Sequence, residues 1–553
     1  MTLRPRLRDA AFRWLADELD TDDRAELQRI LASAMGGDEA SVAELAERMA
    51  GPLRFGTAGL RGPLRAGPNG MNRAVVVRTT AGVAEWLRNS RHAGATVIVG
   101  RDARHGSEAF CTDTASTLAA AGFDVRVLPS PLPTPVVGFA VRELGAAAGI
   151  QITASHNPLS DNGYKLFDAA GTQIAPPVGE QIEAAIAAAA PAVSVPRAHT
   201  WSRLGDEVLE AYLRRLETLP KGTHRTLRVA ATALHGVGAA TLREALRRNG
   251  FTDLSLVAEQ ADPNPDFPTV TFPNPEEPGA ADQLLALASE VDADMAIALD
   301  PDADRCALGV PLPDGSWRML RGDEAGALLG SHLLSTLDRQ AHPDPLVATT
   351  IASSSILRSI AATHGVRCDL TQTGFKYLVR SGDGAGTGLV FAYEEALGLC
   401  VDPDAVRDKD GISAAVLACD LAATLNADGR TLLDALDELA IEHGVYLTDS
   451  LSPRFERTSR IAELMAELRA DPPTVLAGRE VSTEDMLPGA DVLRIAGEGV
   501  RALIRPSGTE PKLKAYLEVV RPVAQPDELT AARAAADARL ADLRADVSAL
   551  LDA

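Results

Sequence analysis

The sequence is poor in lysine, in cysteine and in positive charge. Its 553 residues include only six lysines against 48 arginines, and acidic residues outnumber basic ones so that the formal net charge is −22. A net acidic chain argues against nucleic acid or an anionic membrane as the main partner. The five cysteines form no closely spaced pair, which excludes a cysteine-based zinc site and is typical of a reducing compartment.

Long apolar runs are also missing. The N-terminal segment is charged and has helical periodicity, without the unbroken apolar stretch of a signal peptide. The alanine-rich run at 183–194 is too short to span a bilayer and contains Pro191. We therefore expect a cytoplasmic protein with no membrane partner.

The scarcity of lysine points to particular positions. Because arginine supplies nearly all the positive charge, a lysine that remains is expected where a compact amine with an adjustable pKa is needed. The six lysines are Lys165, Lys221, Lys376, Lys409, Lys512 and Lys514.

The order of apolar and polar segments predicts an α/β protein. Apolar strand runs alternate with helical segments from Gly94 onward, which indicates mostly parallel sheets with helices on their faces. The pattern changes after Gly444, where two helices flank a short β section. The predicted architecture is three tandem α/β domains with mixed, mostly parallel sheets and a smaller C-terminal α+β domain. The predicted boundaries are 1–198, 199–314, 315–445 and 446–553.

The sharpest motif is DPDADR at 300–305, directly after an apolar strand. Carboxylates at alternate positions at the end of a strand repel one another unless a cation lies between them, and hard oxygen ligands suit magnesium, manganese or calcium. An EF-hand is excluded because its sixth position would be Arg305 instead of glycine and its twelfth Pro311 instead of glutamate. The alternative interpretation is an acidic, solvated turn.

A second motif, TASHNP at 153–158, follows the apolar run GIQI. It presents Ser155 on a turn between hydrogen-bond donors, and a serine needs activation or a stabilised leaving group to act as a nucleophile. Lys165 follows ten residues later. The motif lacks the Gly-x-Ser-x-Gly spacing of an esterase, and the alternative interpretation is a capped turn.

Four further segments carry candidate binding groups. RPSGTEPK at 505–512 combines an arginine, two hydroxyls and a glycine, which suits a phosphate or forms a plain surface turn. FAYEEALG at 391–398 places two acids in an apolar run, where sugar hydroxyls would satisfy them, or it begins a helix. TGFK at 373–376 and KDG at 409–411 each contain a scarce lysine, whose alternative role is an exposed salt bridge.

Taken in order, these motifs resemble those of the α-D-phosphohexomutase superfamily. The resemblance covers roughly residues 50–520 and rests on TASHNP with NGYK, DPDADR, TGFK, the EE segment and RPSGTEPK. FGTAGLRG near the N-terminus and the stretch from HGVG to FPTVTFPNPEEPG are most similar to the long phosphoglucomutase/phosphopentomutase branch.

The resemblance implies four domains around a central cleft and a specific set of site residues. Ser155 would carry a phosphoryl group and, with Asp300, Asp302 and Asp304, would hold one Mg²⁺ per chain. The residues implied near the transferring phosphoryl group or in proton transfer are Arg61, His156, Lys165, Arg305 and Lys376. Those implied in substrate binding are Gly374, Glu394, Arg505, Ser507, Gly508, Thr509 and Lys512.

The activity that the resemblance implies is that of an intramolecular phosphotransferase. It would move a phosphoryl group between C1 and C6 of a hexose, through phosphoserine and a bisphosphorylated sugar that also serves as activator. Glucose phosphate is the favoured small-molecule substrate, and the protein would be a monomer or a homodimer. Pentose and mannose phosphates are alternatives, because Ala396 and Gly398 stand where many relatives have serine and some have histidine.

Two other classes of function are less favoured. A non-catalytic sugar-phosphate binding protein would not need the serine, the three acids and the arginine together. A dinucleotide oxidoreductase is suggested only by Gly236 and Gly238 after a strand, and Thr241 stands where the fingerprint requires a third glycine.

Overall fold

The computed structural model describes residues 3–54, 59–455, 458–507 and 512–552. The chain divides into two compact units. The first comprises Met1–Pro220, Arg225–Met319 and Asp402–Cys419, and the second comprises Lys221–His224, Leu320–Val401 and Asp420–Ala553. None of the helices in the described ranges combines the length and the apolar run that a bilayer crossing requires.

The first unit begins with three helices, two of which are capped by acidic side chains. Asp20 accepts a hydrogen bond from the backbone N of Asp22 at 2.9 Å, and Asp38 accepts one from the backbone N of Ser41 at 2.9 Å. Such bonds satisfy amide groups that have no partner inside the helix. The helices are α1 (Pro5–Asp17), α2 (Thr21–Met35) and α3 (Glu39–Arg48).

A six-stranded mixed sheet follows in the same unit. Its elements are β1 (Leu60–Pro63), α4 (Arg73–Asn89), β2 (Thr96–Arg101), α5 (Ser107–Ala120), β3 (Asp124–Val127), α6 (Thr134–Glu143), β4 (Ala148–Ile152), β5 (Asp161–Asp168), α7 (Val178–Ala188), a 3₁₀ turn at Ala192–Ser194, and β6 (Ser202–Arg203). The strand order is β1-β5-β4-β2-β3-β6, with β2, β3, β4 and β6 parallel. β2 and β4 lie in the interior of the sheet and are almost wholly buried, as their largely apolar sequences predict.

The second sheet of this unit has five strands. Its elements are α8 (Glu207–Leu216), β7 (Arg228–Thr232), α9 (Gly238–Arg248), β8 (Asp253–Leu256), α10 (Ala258–Ala261), α11 (Asp282–Glu290), β9 (Met295–Leu299), β10 (Cys306–Pro311) and β11 (Trp317–Met319). The order is β11-β10-β9-β7-β8, with β7, β8 and β9 parallel. The proline-rich segment 263–279 contains no helix or strand.

A four-stranded sheet lies in the second unit. The elements along this stretch of chain are α12 (Gly322–Ser335), β12 (Leu346–Thr350), α13 (Ile356–Thr363), β13 (Arg367–Thr371), α14 (Phe375–Leu378), β14 (Leu389–Glu394), β15 (Gly398–Cys400), α15 (Gly411–Ala427) and α16 (Leu432–His443). The strand order is β13-β12-β14-β15, and only β15 is antiparallel to its neighbour.

The C-terminal sheet is entirely antiparallel. Its elements are β16 (Val445–Leu451), α17 (Thr458–Ala470), β17 (Val475–Leu476), β18 (Arg479–Asp485), β19 (Leu493–Gly497), β20 (Val500–Pro506), β21 (Leu513–Arg521), a 3₁₀ turn at Pro526–Glu528, and α18 (Leu529–Asp552). Its order is β16-β21-β20-β19-β18-β17. The sheet is larger than the short β section predicted, because strands such as REVSTED are polar and carry little apolar signal. The predicted fold class is confirmed.

Candidate active site

The acidic motif lies at the carboxyl end of β9, inside the second sheet. β9 is buried along its whole length, and the chain turns back through residues 300–305 into the antiparallel β10. The side chains of Asp300, Asp302 and Asp304 are buried, and one oxygen from each lies within 4.8 Å of the others. The interpretation as a solvated turn is therefore wrong.

Ser155 meets this acid cluster from the first sheet. It follows β4 with a positive φ of 54°, and its backbone N donates to Thr153 Oγ1 at 2.9 Å. Its Oγ donates to Asp300 Oδ2 at 2.8 Å, and the side chain is buried. Two loops that follow strands of different sheets thus place a hydroxyl group against the three acids.

Lys165 approaches the cluster from β5. Its Nζ lies 2.6 Å from Asp302 Oδ2 and 2.6 Å from Asp304 Oδ2. A second lysine, Lys409, has its Nζ 3.3 Å from Asp304 Oδ2. Both lysines are buried, so the alternative of an exposed salt bridge is wrong for Lys409. Two of the six lysines in the chain face the same carboxylate.

Burial and mutual charge set the protonation of the cluster. Burial, together with Asp302 and Asp304, raises the pKa of Asp300 well above its usual value. Burial also acts to raise the pKa of Asp302 and of Asp304, but the Lys165 ammonium contributes to an opposing effect that outweighs it, and both pKa values are lowered. The same carboxylates raise the pKa of Lys165 although burial opposes this. Lys165 therefore keeps its proton at neutral pH.

His156 is the neutral base nearest to Ser155 among the predicted residues. Its Nδ1 lies 3.2 Å from Ser155 Oγ. Burial, with the positive charges of Arg305 and Arg61, lowers the pKa of His156 well below its usual value. The imidazole is therefore uncharged at neutral pH and can either donate or accept a hydrogen bond through Nδ1.

The two predicted arginines also belong to this group. Arg61 on β1 donates from its guanidinium to Asn157 Oδ1 at 3.1 Å. The backbone N of Arg305 donates to Asp300 Oδ1 at 3.0 Å, and its guanidinium lies 3.3 Å from Glu276 Oε2. Guanidinium groups stay charged in proteins, so both side chains can bind phosphoryl oxygens.

The acid cluster fits a hard divalent cation. Asp302 Oδ1 and Asp304 Oδ1 are buried and have no hydrogen-bond partner. A buried carboxylate oxygen without a partner is costly, and a metal ion is one way to satisfy it. Carboxylate ligands alone suit magnesium, calcium or manganese better than the softer metals.

In the second unit, the TGFK segment contacts the RPSG segment through Arg505, whose guanidinium donates to Thr373 Oγ1. Gly374 has a φ of 121°, which favours glycine, and it precedes α14. Lys376 lies on α14 and is buried. Burial, with the neighbouring Arg380, lowers the pKa of Lys376.

The RPSGTEPK segment is described only in part. The backbone N of Ser507 donates to the carbonyl of Lys512 at 2.9 Å, so the two ends of the segment are joined. Gly508 and Thr509, both predicted to bind substrate, lie outside the described residues.

The EE segment is the turn of a hairpin between β14 and β15, so the alternative of a helix start is wrong. Glu394 ends β14 and is half-buried. The carboxylate of Glu395 accepts hydrogen bonds from Thr350 Oγ1 at 3.0 Å and from Ser353 Oγ at 2.9 Å. Glu395 therefore anchors the turn to the end of β12.

Asp323, in the first turn of α12, is a buried carboxylate close to this hairpin. It accepts hydrogen bonds from the backbone N of Ser354 at 2.7 Å, from Thr448 Oγ1 at 2.9 Å and from the Tyr393 hydroxyl at 3.1 Å. Burial, with a further contribution from the charge of Glu395, raises the pKa of Asp323 to about 7.

We expect the substitution Asp323→Asn to become more stabilising as the pH rises. The pKa of an unfolded aspartate is about 3.9, so between about pH 4 and 7 the folded wild type holds a proton that the unfolded chain has lost. The contribution of Asp323 to the free energy of unfolding therefore falls as the pH rises through this window. The asparagine of the variant does not titrate, so its contribution stays constant. The free energy of unfolding of the variant relative to wild type should increase by about 2–3 kcal/mol between pH 5 and 8. Calorimetric melting at both pH values measures it, with the exposed Asp428→Asn as control. A pH-independent difference would contradict the expectation.

The glycines that suggested a dinucleotide site have a different role. A Cβ on Gly236 would lie 2.2 Å from the Cα of Pro301, and one on Gly238 would lie 2.9 Å from the Cβ of Ala303. The chain after β7 therefore packs directly against the acidic turn. Close backbone approach explains these glycines without a cofactor.

Sequence reasoning missed two residues of the first unit that contact the site. Thr134 begins α6, and its backbone N donates to the carbonyl of Asp302 at 2.9 Å. Arg104 donates to the carbonyl of Ser155 at 2.7 Å. They follow β3 and β2, which run parallel to β4 in the same sheet. Polar residues at the carboxyl ends of parallel strands meet at one edge, and this was the available signal.

Models of one protein family match successive parts of the chain. The phosphoglucomutase/phosphomannomutase α/β/α domains I, II and III match residues 52–192, 210–312 and 321–441, and the C-terminal domain of the same family matches residues 456–536. The domain boundaries that we place at 198, 314 and 445 stay a prediction.

Individual proteins are similar over nearly their whole length. A "Probable phosphomannomutase" of Haemophilus influenzae is 40% identical over 460 residues, which are 81% of this chain and 93% of that protein. A phosphopentomutase of Homo sapiens is 31% identical over 584 residues, 94% of this chain and 93% of that one. The crystal structure of a phosphoglucomutase/phosphomannomutase family protein of Burkholderia thailandensis matches with a TM-score of 0.68 at 21% identity, and the match covers 89% of this chain and 97% of that one. This likeness shows the fold alone.

Proposed function

Because the chain belongs to the phosphoglucomutase/phosphomannomutase family and is a phosphomutase, we propose that it interconverts glucose 1-phosphate and glucose 6-phosphate. The observation that carries the phosphoserine reaction in this proposal, whichever sugar is the substrate, is the 2.8 Å contact between Ser155 Oγ and Asp300 Oδ2. A serine hydroxyl buried against three acids, with a lysine held by two of them, is suited to carry a phosphoryl group. A capped turn would need none of these neighbours.

In the proposed reaction Ser155 is phosphorylated at rest. The bond between phosphorus and Ser155 Oγ breaks with its electron pair left on Oγ, and a bond forms between phosphorus and the free hydroxyl oxygen of the sugar monophosphate. The proton of that hydroxyl passes to a base of the protein. The bisphosphorylated sugar then returns its other phosphoryl group to Oγ by the reverse step, so that the net product is the isomeric monophosphate.

The side chains around Ser155 would offset the charge that moves during this step. Phosphoryl transfer depends mainly on positioning and on neutralising negative charge. Arg61 and Arg305 would bind the phosphoryl oxygens. His156, neutral and 3.2 Å from Oγ, would donate a hydrogen bond from Nδ1 as negative charge collects on Oγ.

The two proposed proton-transfer residues differ in protonation. The pKa of Lys165 is raised, so this side chain is suited to hold or donate a proton. The pKa of Lys376 is lowered by burial and by Arg380, so its amine is better suited to accept the hydroxyl proton. We propose Lys376 as the acceptor and Lys165 as the donor.

We propose that Asp300, Asp302, Asp304 and a phosphoryl oxygen on Ser155 hold one Mg²⁺ per chain. When bound, the ion supplies positive charge against the transferring phosphoryl group. Treatment with EDTA is then expected to lower kcat by at least about 10²-fold, with recovery on adding Mg²⁺. Activity that is indifferent to the chelator, measured after exhaustive dialysis, would contradict the assignment.

The remaining proposed roles concern the sugar and its second phosphate. Glu394 would accept hydrogen bonds from sugar hydroxyls. The phosphate that does not react would be bound by Gly374, Arg505, Ser507, Gly508, Thr509 and Lys512. A bisphosphorylated sugar would serve as activator by rephosphorylating Ser155. We still expect a cytoplasmic protein that is a monomer or a homodimer.

Two observations favour other sugars. The similarity at 40% identity to a protein named as a phosphomannomutase favours mannose phosphate. The similarity to a phosphopentomutase, together with Ala396 in the EE segment, favours ribose or deoxyribose phosphate. Both alternatives use the same phosphoserine reaction.

A substrate panel tests the proposal. Purified protein is assayed with the 1-phosphates of glucose, mannose, ribose, deoxyribose and glucosamine, with and without glucose 1,6-bisphosphate. We expect the highest kcat/KM for glucose 1-phosphate, because the ratio of kcat/KM values measures discrimination between substrates. A higher value for mannose or a pentose would change the substrate, and binding without turnover of any sugar would overturn the proposed activity.

A further inference from the structure

Arg104 is a buried arginine that the reaction described above does not use. It lies two residues after the buried Asp102, which follows β2, and it is 5% exposed. Its guanidinium donates to four backbone carbonyls of the segment 155–161. These are the carbonyls of Ser155 at 2.7 Å, Asn157 at 2.6 Å, Pro158 at 2.8 Å and Asp161 at 3.2 Å.

These four bonds define the path of the loop that carries Ser155. Carbonyl oxygens that would otherwise need water or strand partners converge on one planar cation. A guanidinium has five N–H donors in a rigid arrangement, whereas an ammonium offers three donors at a single point. Arginine can therefore span a segment of seven residues where lysine cannot.

The bond to the carbonyl of Ser155 itself has a specific consequence. Ser155 has a φ of 54°, in the left-handed region that residues with a side chain rarely adopt. Such a conformation persists only when surrounding contacts impose it. With this backbone conformation, Ser155 Oγ lies 2.8 Å from Asp300 Oδ2.

Arg104 is itself held from two sides. The carboxylate of Asp102 lies 3.5 Å from Arg104 Nε, and that carboxylate also accepts a hydrogen bond from Ser107 Oγ at 2.5 Å. On another side the guanidinium stacks over the ring of Phe267, 4.9 Å from its centroid.

Phe267 belongs to the proline-rich segment 263–279, for which the proposed reaction has no role. The neighbouring Asp266 contacts His105 Nε2 at 2.7 Å, so the segment contacts both Arg104 and the residue that follows it. Later in the segment, Glu276 lies 3.3 Å from the Arg305 guanidinium. The segment thus joins the loop after β2 to the acidic turn.

From these contacts we propose that Arg104, which packs against the Phe267 ring, is the positioning residue that holds Ser155 in the conformation required for phosphoryl transfer. The inference rests on the proposed phosphoserine mutase activity. It predicts that Arg104 affects the rate of the chemical step and not the binding of the sugar, because its guanidinium is bound to the loop and not to the cluster that faces substrate.

The first test is the substitution Arg104→Lys in the full-length protein. We expect kcat for the preferred sugar phosphate to fall by about 10²-fold while KM changes by less than about threefold. Single-turnover phosphorylation of Ser155 by glucose 1,6-bisphosphate, followed by intact mass, should slow by the same factor. The control is Arg142→Lys, since Arg142 also donates to backbone carbonyls, those of Ala170 and Asp404, outside the Ser155 loop. A kcat within threefold of wild type for Arg104→Lys, or an increase confined to KM, would overturn the inference.

The second test separates positioning from folding. Arg104→Ala should regain at least tenfold of its lost kcat in about 20 mM guanidinium chloride, whereas Arg104→Lys and wild type should not be activated. If Arg104→Ala does not fold, as seen by circular dichroism, the kcat and KM of Arg104→Lys decide the matter. A folded Arg104→Ala in which Ser155 is phosphorylated as fast as in the Arg142→Lys control would overturn it. Inactive wild-type protein would instead refute the proposed mutase function, so the two failures are distinguishable.

Discussion

The substitution Ser155→Ala is expected to lower kcat by at least about 10³-fold on every sugar phosphate that the wild type converts. The reason is that Ser155 Oγ is the proposed acceptor of the phosphoryl group, and the substitution removes it. Ser155 Oγ is the hydroxyl that lies 2.8 Å from Asp300 Oδ2, and removal of that oxygen leaves the three acids and Lys165 intact around a methyl group. The variant should still bind sugar phosphates, because the charged side chains remain.

Two measurements check this result. Steady-state kinetics give kcat, and intact mass after incubation with glucose 1,6-bisphosphate shows whether one phosphoryl group is acquired. The matched control is Ser160→Ala, which removes an exposed hydroxyl from the same loop. Near-full activity of Ser155→Ala, or a phosphorylated Ser155→Ala protein, would show that the phosphoryl group is carried elsewhere.

The substitution Lys165→Met is expected to have the largest effect on stability. It removes an ammonium that lies 2.6 Å from each of two buried carboxylates, and a buried charge left without its partner costs about 3–5 kcal/mol. In EDTA the free energy of unfolding of the unit should fall by this amount. Addition of Mg²⁺ should recover part of the loss, because a cation again faces Asp302 and Asp304. Activity should fall as well, since Lys165 is the proposed proton donor.

The same variant has a defined pH dependence. In the wild type Lys165 helps to keep the pKa values of Asp302 and Asp304 below the unfolded value of about 3.9, so the pairing stabilises the fold above about pH 4 and less as the pH falls. The difference in free energy of unfolding between wild type and Lys165→Met should therefore reach its whole value at pH 7 and be smaller near pH 3.5. Melting in EDTA at both pH values measures it, with the exposed Lys221→Met as control. Equal stability of the two proteins at pH 7 would contradict the assigned ion pairs.

Individual motifs could be predicted because each chemical group lies in a short, contiguous segment at or near the end of a strand run. Each motif is a run of consecutive residues, as are DPDADR with its three acids, TASHNP with its serine and NGYK with its lysine. The residue types limit the chemistry that each motif can perform. The scarcity of lysine was informative in the same way, because Lys165, Lys376 and Lys409 are all buried. The polar strands of the C-terminal sheet were hard to count, because half-exposed strands carry a weak apolar pattern.

Residue types and their order along the chain determined the α/β fold, and they predicted a serine and three closely spaced acids suited to phosphoryl transfer. Only the tertiary structure decided that Ser155 and Asp300, 145 residues apart, share a hydrogen bond, and that Arg104 contacts both the serine loop and Phe267. The reason is physical. A local pattern indicates the secondary structure and the chemical groups of one segment. Contacts between distant segments depend on how whole sheets pack, and that packing cannot be read from any single segment.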